Sequence, residues 1–389
     1  MPEIKALWIC SWYPNRVIPN LANFVYRHAK ATDLFADICV INACSDPSLS
    51  EGYDITVDYE PFLAVRIYYV PTRNPLLKAW RIFQAYIRGY RTICNLWGKP
   101  ELIHLHTLFP AGIFGWYLYF KEKISFVITE HRAGYMHKGG SYQGFGMKLF
   151  TQLTFRWAKY AFPISHSFGE ALRGHGLTTN FRVVPNVIDT DFFNLPSLSE
   201  KRISDGKFRF LHIGALSDFQ KNQSGIIRAA ACLAVNRNDF EVYIVGAGQD
   251  SEELIGLSKE LKIWGKHIFF KGHLKEDQVV LELKASDGLL MFSNIESQMV
   301  VVLEAMACGL PIIATETGGI NERVTEQTGI LLQIGDEKGL TEAMNYMIDN
   351  KDKYDPSVIR QKIVEKCSVQ AVGQAISDVY KEVLANTKR

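Results

Sequence analysis

Short apolar segments alternate with amphipathic segments along almost the whole chain. Such a pattern is typical of buried parallel strands separated by covering helices. The predicted strands of the first half are Ile4–Cys10, Asp37–Asn42, Ala64–Val70, Leu102–His106, Ser125–Thr129 and Tyr160–Ile164. Those of the second half are Phe208–Ile213, Glu241–Val245, Ile268–Phe270, Gly288–Phe292, Pro311–Thr315 and Ile330–Gln333. The pattern therefore predicts an α/β protein of two doubly wound halves.

A polar segment separates the two halves. The sequence Val-Pro-Asn-Val-Ile-Asp at 184–189 is followed by the polar segment Asn194–Lys207, which contains Ser, Lys and Asp, as linkers do. We predict an N-terminal domain over 1–190 and a C-terminal domain over 191–365. The last segment, 366–389, contains an amphipathic helix, Val369–Leu384, that we expect to pack back on the N-terminal domain.

Composition narrows the class of protein. The 389 residues are 47% hydrophobic and 22% charged, which suits two globular cores. Because 43 basic residues balance 41 acidic ones, no global charge favours nucleic acid. Seven scattered cysteines without a CxxC pair favour a reducing compartment. No run reaches the roughly 18 apolar residues of a membrane span, so we expect a cytoplasmic protein, with attachment to the inner membrane face as an open possibility.

Polar residues lie at the ends of several predicted strands or directly after them, where open α/β sheets bind their ligands. In the first half these are His104, His106 and Glu130-His131. In the second half they are Gly214–Lys221, Gly246–Gly248, Ser293–Glu296 and Gly318-Gly319. We expect the two sets to face each other across one cleft. His104 and His106 alternate on one strand and could share a metal, but no third ligand is suggested, so a structural role is preferred and no metal site is predicted.

Two glutamates straddle the start of a predicted helix. Glu304 lies inside it among apolar residues, where a carboxylate needs hydrogen-bond donors, and a ribose diol could supply them. Glu296 precedes the helix, whose free N–H groups at Met299 and Val300 would point towards an anion such as a diphosphate. The spacing of the two glutamates is uninformative by itself.

The surrounding motif is more specific. The segment Glu296–Glu322 reads Glu-x7-Glu-Ala-Met-Ala-x-Gly-x-Pro-Ile-Ile-Ala-Thr-x-x-Gly-Gly-Ile-x-Glu and resembles the C-terminal signature of the family 4 glycosyltransferases. Phe210–Gly214, Val245–Gly248 and Phe270–His273 resemble further landmarks of that family in the expected order. The resemblance covers essentially the whole chain and is looser in the first half. It implies the GT-B fold, in which two Rossmann-like domains face each other.

The resemblance also implies an activity and a set of site residues. Members are retaining, metal-independent enzymes that need no cofactor. They move a hexosyl unit from a UDP- or GDP-sugar to a glycan or lipid-linked acceptor, which suggests bacterial surface polysaccharide or glycolipid assembly. The implied catalytic residues are Glu296 and His131 at the transferred sugar and Lys221 at the diphosphate. The implied donor-binding residues are Glu304 at the ribose, with Gly214, Lys221, Gly246, Met299, Val300, Gly318 and Gly319 around the nucleotide. On the acceptor side we expect Asn23, His106 and Glu130.

Two departures from the family pattern keep alternatives open. Ala215 stands where an arginine usually precedes the lysine by six positions, so backbone N–H groups or another base must assist Lys221. The candidates for that base are Arg16, Lys138 and Arg323. A loop that usually contains glycine carries Ala22 and Asn23. Ala215 therefore keeps a non-catalytic nucleotide-sugar-binding paralogue as an alternative. A sugar-nucleotide epimerase is a further alternative, because it would share the two-domain architecture.

Two other motifs each have a structural interpretation beside a functional one. Asp189-Thr190-Asp191 is interpreted as turn and cap chemistry rather than as a metal-binding Asp-x-Asp. The segment Arg73–Lys99 interleaves basic and aromatic residues, which suits either an anionic membrane surface or a helix with its aromatics in the core. A second such stretch, Lys148–Lys159, favours membrane contact.

Overall fold

The computed structural model describes residues 4–59, 61–136, 142–197, 206–296 and 300–387. The chain divides into two compact units, one of 1–187 with 369–389 and one of 188–368. These divisions fall a few residues from those expected at 190 and 365. We call them the N-terminal and C-terminal units.

The elements of both units are numbered in chain order. The strands are β1 (Lys5–Cys10), β2 (Asp37–Ser45), β3 (Tyr53–Asp58), β4 (Leu63–Tyr69), β5 (Leu102–His106), β6 (Ser125–Thr129), β7 (Tyr160–Ala161), β8 (Asn180–Phe181), β9 (Phe208–Ile213), β10 (Phe240–Val245), β11 (Ile268–Gly272), β12 (Gly288–Met291), β13 (Ile312–Thr315) and β14 (Gly329–Leu332). The helices are α1 (Asn23–Asp33), α2 (Pro75–Leu96), α3 (Ala111–Glu122), α4 (Phe145–Trp157), α5 (His166–Gly174), α6 (Asp218–Lys221), α7 (Gln223–Leu233), α8 (Ser251–Glu260), α9 (Glu276–Lys284), α10 (Val300–Ala307), α11 (Glu337–Asp349), α12 (Pro356–Cys367) and α13 (Val369–Thr387).

The N-terminal unit contains an eight-stranded sheet in the order β3-β4-β2-β1-β5-β6-β7-β8. Its strands are parallel except β3, which pairs antiparallel with β4. The search for apolar runs missed β3, because its side chains are half-exposed and Tyr53–Asp58 alternates apolar and polar residues instead. The short link 59–62 explains the reversal, since a parallel connection needs about a dozen residues or more. Tyr160–Ile164 forms a strand only over β7.

Helices cover both faces of this sheet. Helices α2, α3, α4 and α5 pack on one face, while α1 and the C-terminal helix α13 pack on the other. Helix α13 crosses α1 closely at Gly373, where a Cβ atom would stand 2.0 Å from the carbonyl oxygen of Ala31. The last helix thus completes the core of the N-terminal unit.

The C-terminal unit contains a six-stranded parallel sheet in the order β11-β10-β9-β12-β13-β14. Its predicted strands begin and end within two residues of the observed ones, because fully buried parallel strands are continuous apolar runs. All strands point the same way, so the loops that follow them gather at one edge of the sheet. We call this the carboxyl edge. Among the described helices, none has both the length and the hydropathy needed to cross a bilayer.

Candidate active site

Backbone hydrogen bonds bring two predicted site segments together at the carboxyl edge of the C-terminal unit. The loop after β12 donates its N–H groups at Asn294 and Ile295 to the carbonyl oxygen of Gln220, at 2.8 and 3.2 Å. Gln220 lies in the short helix α6, which follows β9 and ends at Lys221. The side-chain amide of Asn294 also donates to the Phe219 carbonyl at 3.1 Å. These bonds set Lys221 beside Glu296.

Lys221 and Glu296 form an ion pair between Nζ and Oε1. Their side chains are 19% and 8% exposed. The Ser293 hydroxyl donates to the same carboxylate oxygen at 2.8 Å, and the Thr315 hydroxyl fixes Ser293 by donating to its carbonyl at 2.6 Å. A carboxylate this buried is stable only with such partners. Sequence reasoning gave Lys221 and Glu296 separate roles and did not predict that they pair.

Glycines let the backbone close in around this pair. Gly246 has φ +143°, and a Cβ atom there would lie 1.8 Å from the carbonyl oxygen of Gly214. Gly318 has φ +58°, and its Cβ would lie 2.9 Å from the carbonyl oxygen of Glu296. Gly214 lies beside the Lys221 side chain, and Gly319 directly precedes the 3₁₀ turn Ile320–Glu322. The structure therefore gathers Gly214, Lys221, Gly246, Glu296 and Gly318 at one place.

The second glutamate lies inside α10. Glu304 is 7% exposed, and its neighbours Leu303 and Ala305 are buried as well. Helix α10 begins at Val300, while Met299 lies outside the described residues. The predicted helical position and burial of this carboxylate thus agree with the structure, and its contact with a ribose stays a prediction.

The position of the missing arginine is occupied by an exposed alanine. The carbonyl of Ala215 accepts a hydrogen bond from the Gln223 amide at 2.9 Å. The same amide lies 3.3 Å from Nε2 of His212, whose Nδ1 is 2.9 Å from the carbonyl oxygen of Leu290. Burial lowers the pKa of His212 to about 4, with a smaller contribution from nearby Lys221. This ring is neutral near pH 7, so His212 does not supply the missing positive charge.

The three bases considered as replacements differ in position. Arg16 belongs to the N-terminal unit, where its guanidinium contacts Asp54 and donates from Nε to Asp46 at 2.7 Å. Lys138 lies outside the described residues. Arg323 directly follows the 3₁₀ turn that begins after Gly319. Of the three, Arg323 is the one that the C-terminal unit carries beside its glycine turn.

In the N-terminal unit, Glu130 organises the loop that carries His131. Its buried carboxylate accepts backbone N–H groups of Leu108, His131 and Arg132 at 3.2, 2.9 and 3.1 Å. The Tyr135 hydroxyl lies 3.4 Å from it. We expected Glu130 on the acceptor side, and the structure shows a carboxylate engaged by its own loop. Its role in the loop escaped sequence reasoning because the donors are backbone groups.

Four buried histidines cluster beneath that loop. The ring centroids of His131 and His106 lie 5.8 Å apart, those of His106 and His104 4.1 Å apart, and those of His28 and His131 6.0 Å apart. Phe24, next to Asn23 at the start of α1, lies 4.6 Å from His131. The structure therefore places His106 and Glu130 beside His131, while Asn23 is the chain neighbour of Phe24, whose ring contacts His131.

The two strand histidines have different environments. His104 is hydrogen-bonded at Nδ1 to the Tyr380 hydroxyl at 2.6 Å and at Nε2 to the Thr129 hydroxyl at 2.7 Å. His106 stacks on Trp8 at 4.1 Å, and neither of its ring nitrogens has a hydrogen-bond partner within the described ranges. In the described part of the chain, no group of three or more His, Cys, Asp or Glu side chains could hold a metal ion. The two hydrogen bonds of His104 make it a structural link between the sheet and α13.

Comparisons with known proteins agree with this architecture. The family model described as Glycosyltransferase Family 4 matches residues 37–192, and the model described as Glycosyl transferases group 1 matches residues 197–362. Among solved structures, sucrose-phosphate synthase from Thermosynechococcus elongatus superposes with a TM-score of 0.74 over 98% of this chain and 99% of its own, at 17% identity. The Anabaena protein HepE in complex with UDP gives a TM-score of 0.74 over 97% and 100%, at 19% identity.

Curated relatives give the same result. A GDP-mannose-dependent monoacylated alpha-(1-6)-phosphatidylinositol monomannoside mannosyltransferase from Corynebacterium glutamicum is 25% identical over 370 residues, 89% of each chain. N-acetyl-alpha-D-glucosaminyl L-malate synthase from Bacillus anthracis is 29% identical over 192 residues, 49% of each chain.

The two sheets, parallel except for strand β3, and these superpositions show the GT-B fold. The chain belongs to glycosyltransferase family 4.

The histidine cluster predicts that acid destabilises the protein. Burial lowers the pKa of His28, His104, His106 and His131 in the folded state, whereas the pKa of histidine in an unfolded chain is about 6.5. Below that pH the unfolded chain binds more protons, so the free energy of unfolding should fall as pH decreases, by up to about 1.4 kcal/mol per pH unit for each histidine. Urea unfolding between pH 7.5 and 5 measures this. His106→Phe, which keeps the stack on Trp8, should have a flatter pH dependence, and an unchanged dependence would contradict this account.

Proposed function

We propose that the chain is a retaining, metal-independent hexosyltransferase that uses a nucleotide diphosphate sugar, with UDP or GDP as the nucleotide. The acceptor is a glycan or a lipid-linked sugar, in bacterial surface polysaccharide or glycolipid assembly. The observation that carries the proposal is the buried Lys221–Glu296 pair within the glycine-lined carboxyl edge. Family membership supplies the general reaction.

The geometry of this pair suits departure of a nucleoside diphosphate. An ammonium group carries three N–H donors, and Glu296 occupies one of those of Lys221. The other two can donate to diphosphate oxygens, and the start of α10 at Val300 would add N–H groups and a favourable dipole. Negative charge grows on the leaving phosphate as the bond to the anomeric carbon breaks, so fixed positive groups there lower the barrier.

We assign Glu296 to the transferred sugar. Its carboxylate is paired with Lys221 and receives the Ser293 hydroxyl, so it is held in one orientation and can accept sugar hydroxyl groups. The acceptor oxygen then bonds to the anomeric carbon on the face that the diphosphate leaves, and its proton passes to a departing phosphate oxygen. His131 is assigned to the donor sugar as a neutral residue, in keeping with the burial that lowers its pKa.

The relatives support this class of substrates without choosing one. The corynebacterial relative is named as a GDP-mannose-dependent enzyme with a lipid-linked acceptor, and HepE structures contain UDP or UDP-glucose. The exposed Ala215 keeps a non-catalytic binding paralogue as the second candidate. Turnover separates the two.

Glu296→Gln and Lys221→Met should each lower sugar transfer at least about 100-fold, because each removes a charge at the reacting centre. The measurement is release of nucleoside diphosphate from a panel of UDP- and GDP-hexoses with sugar acceptors. The matched control is the ion pair of Lys207 with Glu241, at 2.8 Å in the same unit. Lys207→Met and Glu241→Gln should retain turnover. A Lys221→Met protein as active as these controls would refute the assignment.

We further propose that the enzyme works in the cytoplasm at the inner face of the membrane, as a peripheral protein. Helices α2, α3 and α4 of the N-terminal unit each follow a parallel strand and cover the same face of its sheet. Their first turns therefore lie where those strands end, at the carboxyl edge of the N-terminal sheet. Large apolar side chains are exposed there: Leu76 81%, Leu77 39%, Trp80 59%, Phe109 41%, Ile113 43%, Phe145 84% and Leu149 43%. The basic residues Arg73, Lys78 and Lys148 are exposed among them.

The basic aromatic segments show both features expected from the sequence, aromatic residues in the core and a candidate membrane-contacting surface. Tyr86, Tyr90 and Phe155 lie deeper along the helices and are buried in the core. Leu76, Trp80 and the other residues at the helix starts are exposed instead. Exposed apolar side chains surrounded by lysine and arginine suit the headgroup region of an anionic bilayer.

Flotation with phosphatidylglycerol-containing vesicles at low salt tests the membrane contact. We expect the parent protein to float and the triple variant Leu76→Ser/Trp80→Ser/Phe145→Ser to lose most of the bound fraction. Val235→Ser/Leu281→Ser, which changes exposed apolar residues of the C-terminal unit, should float like the parent. A parent protein that stays unbound, or equal losses in both variants, would rule out this surface.

A further inference from the structure

A cavity of about 440 Å³ lies in the N-terminal unit away from the histidine cluster. It is lined by Tyr13 after β1, Tyr26 on α1, and Asp58, Tyr59, Phe62 and Arg66 of the β3–β4 hairpin. Phe24 of α1 contacts His131, and Tyr26, two positions later, points to the opposite side of the helix. The cavity is therefore on the opposite side of α1 from His131. Its volume is in the range of small-molecule sites.

Two polar side chains that line the cavity, Arg66 and Tyr13, are largely buried. Arg66, whose side chain is 16% exposed, donates from Nε to the carbonyl of Pro14 at 2.8 Å and pairs through Nη1 with Asp58. No hydrogen bond joins its Nη2 to another described residue. The Tyr13 hydroxyl is fully buried and has no hydrogen-bond partner among the described residues. Burial raises the pKa of Tyr13, so this hydroxyl is a donor as well as an acceptor.

The charges of the lining select the class of ligand. Asp58 offsets Arg66, so a phosphate or carboxylate would meet an acidic side chain beside its only cationic partner in the described lining. A neutral polyol meets no such conflict, because its hydroxyl groups donate to Asp58 and accept from Arg66. The rings of Tyr26, Tyr59 and Phe62 offer apolar faces to the C–H side of a pyranose ring.

We propose that this cavity is a non-catalytic carbohydrate subsite that binds a hexopyranose unit of a glycan. The proposal deepens the proposed function, since it makes the acceptor a glycan of several units rather than a single sugar. A unit bound here would tether the chain and raise the local concentration of its reacting end.

Ligand-observed saturation-transfer NMR tests this directly. The probes are methyl α-D-mannopyranoside and methyl α-D-glucopyranoside, with UDP and GDP added to occupy the donor site. We expect saturation transfer to at least one probe in the parent protein. Asp58→Asn and Tyr59→Ser should weaken binding about tenfold or more, because each removes a direct contact at an exposed position.

Asp54→Asn is the matched control. Asp54 lies on the same strand β3 but pairs with Arg16 and does not line the cavity, so this variant should bind the probes like the parent. Equal thermal shifts with UDP and GDP in all variants would show that they remain folded and would test donor binding separately. The subsite is refuted if the parent shows no saturation transfer, if Asp58→Asn and Tyr59→Ser bind like Asp54→Asn, or if inorganic phosphate displaces the sugars.

Discussion

The burial of the Glu296 carboxylate is the constraint on which the C-terminal unit's site depends. A charge that is 8% exposed must be matched locally. Lys221 and Ser293 provide this match, and other hydrogen bonds position each of them. The Gln220 carbonyl joins α6 to the loop after β12, and the Thr315 hydroxyl joins β13 to Ser293. Helix α6, the start of the loop after β12 and the end of β13 are therefore held to one another by bonds within the unit.

This arrangement has a consequence for donor binding. Lys221 is already oriented by Glu296, so less side-chain entropy is lost when its ammonium group contacts a diphosphate. Gly246 and Gly318 keep side chains out of the same space. The histidines of the N-terminal unit contrast with this charged centre, since burial keeps them neutral. In our proposal charge is supplied by the C-terminal unit, while His131 contributes shape and hydrogen bonding.

The sequence was sufficient to predict those parts of the protein that consist of continuous buried apolar residues. The C-terminal strands and the burial of Glu304 among apolar neighbours are examples. It missed β3, whose half-exposed side chains give no such run, and with it the cavity that the β3–β4 hairpin forms. It also missed the contact between Lys221 and Glu296, because their approach depends on backbone bonds between two loops far apart in the chain. The periodicity of apolar residues does not predict how two loops approach each other.

The double-mutant cycle of Lys221→Met and Glu296→Gln tests the central claim most directly. The quantity is the free energy of unfolding of the C-terminal unit without ligand, measured by denaturant titration. If the pair stabilises the buried carboxylate, each single variant loses about 2 to 3 kcal/mol, and the double variant loses less than the sum by about 2 kcal/mol. Additive losses, with a coupling energy below about 0.5 kcal/mol, would contradict the account.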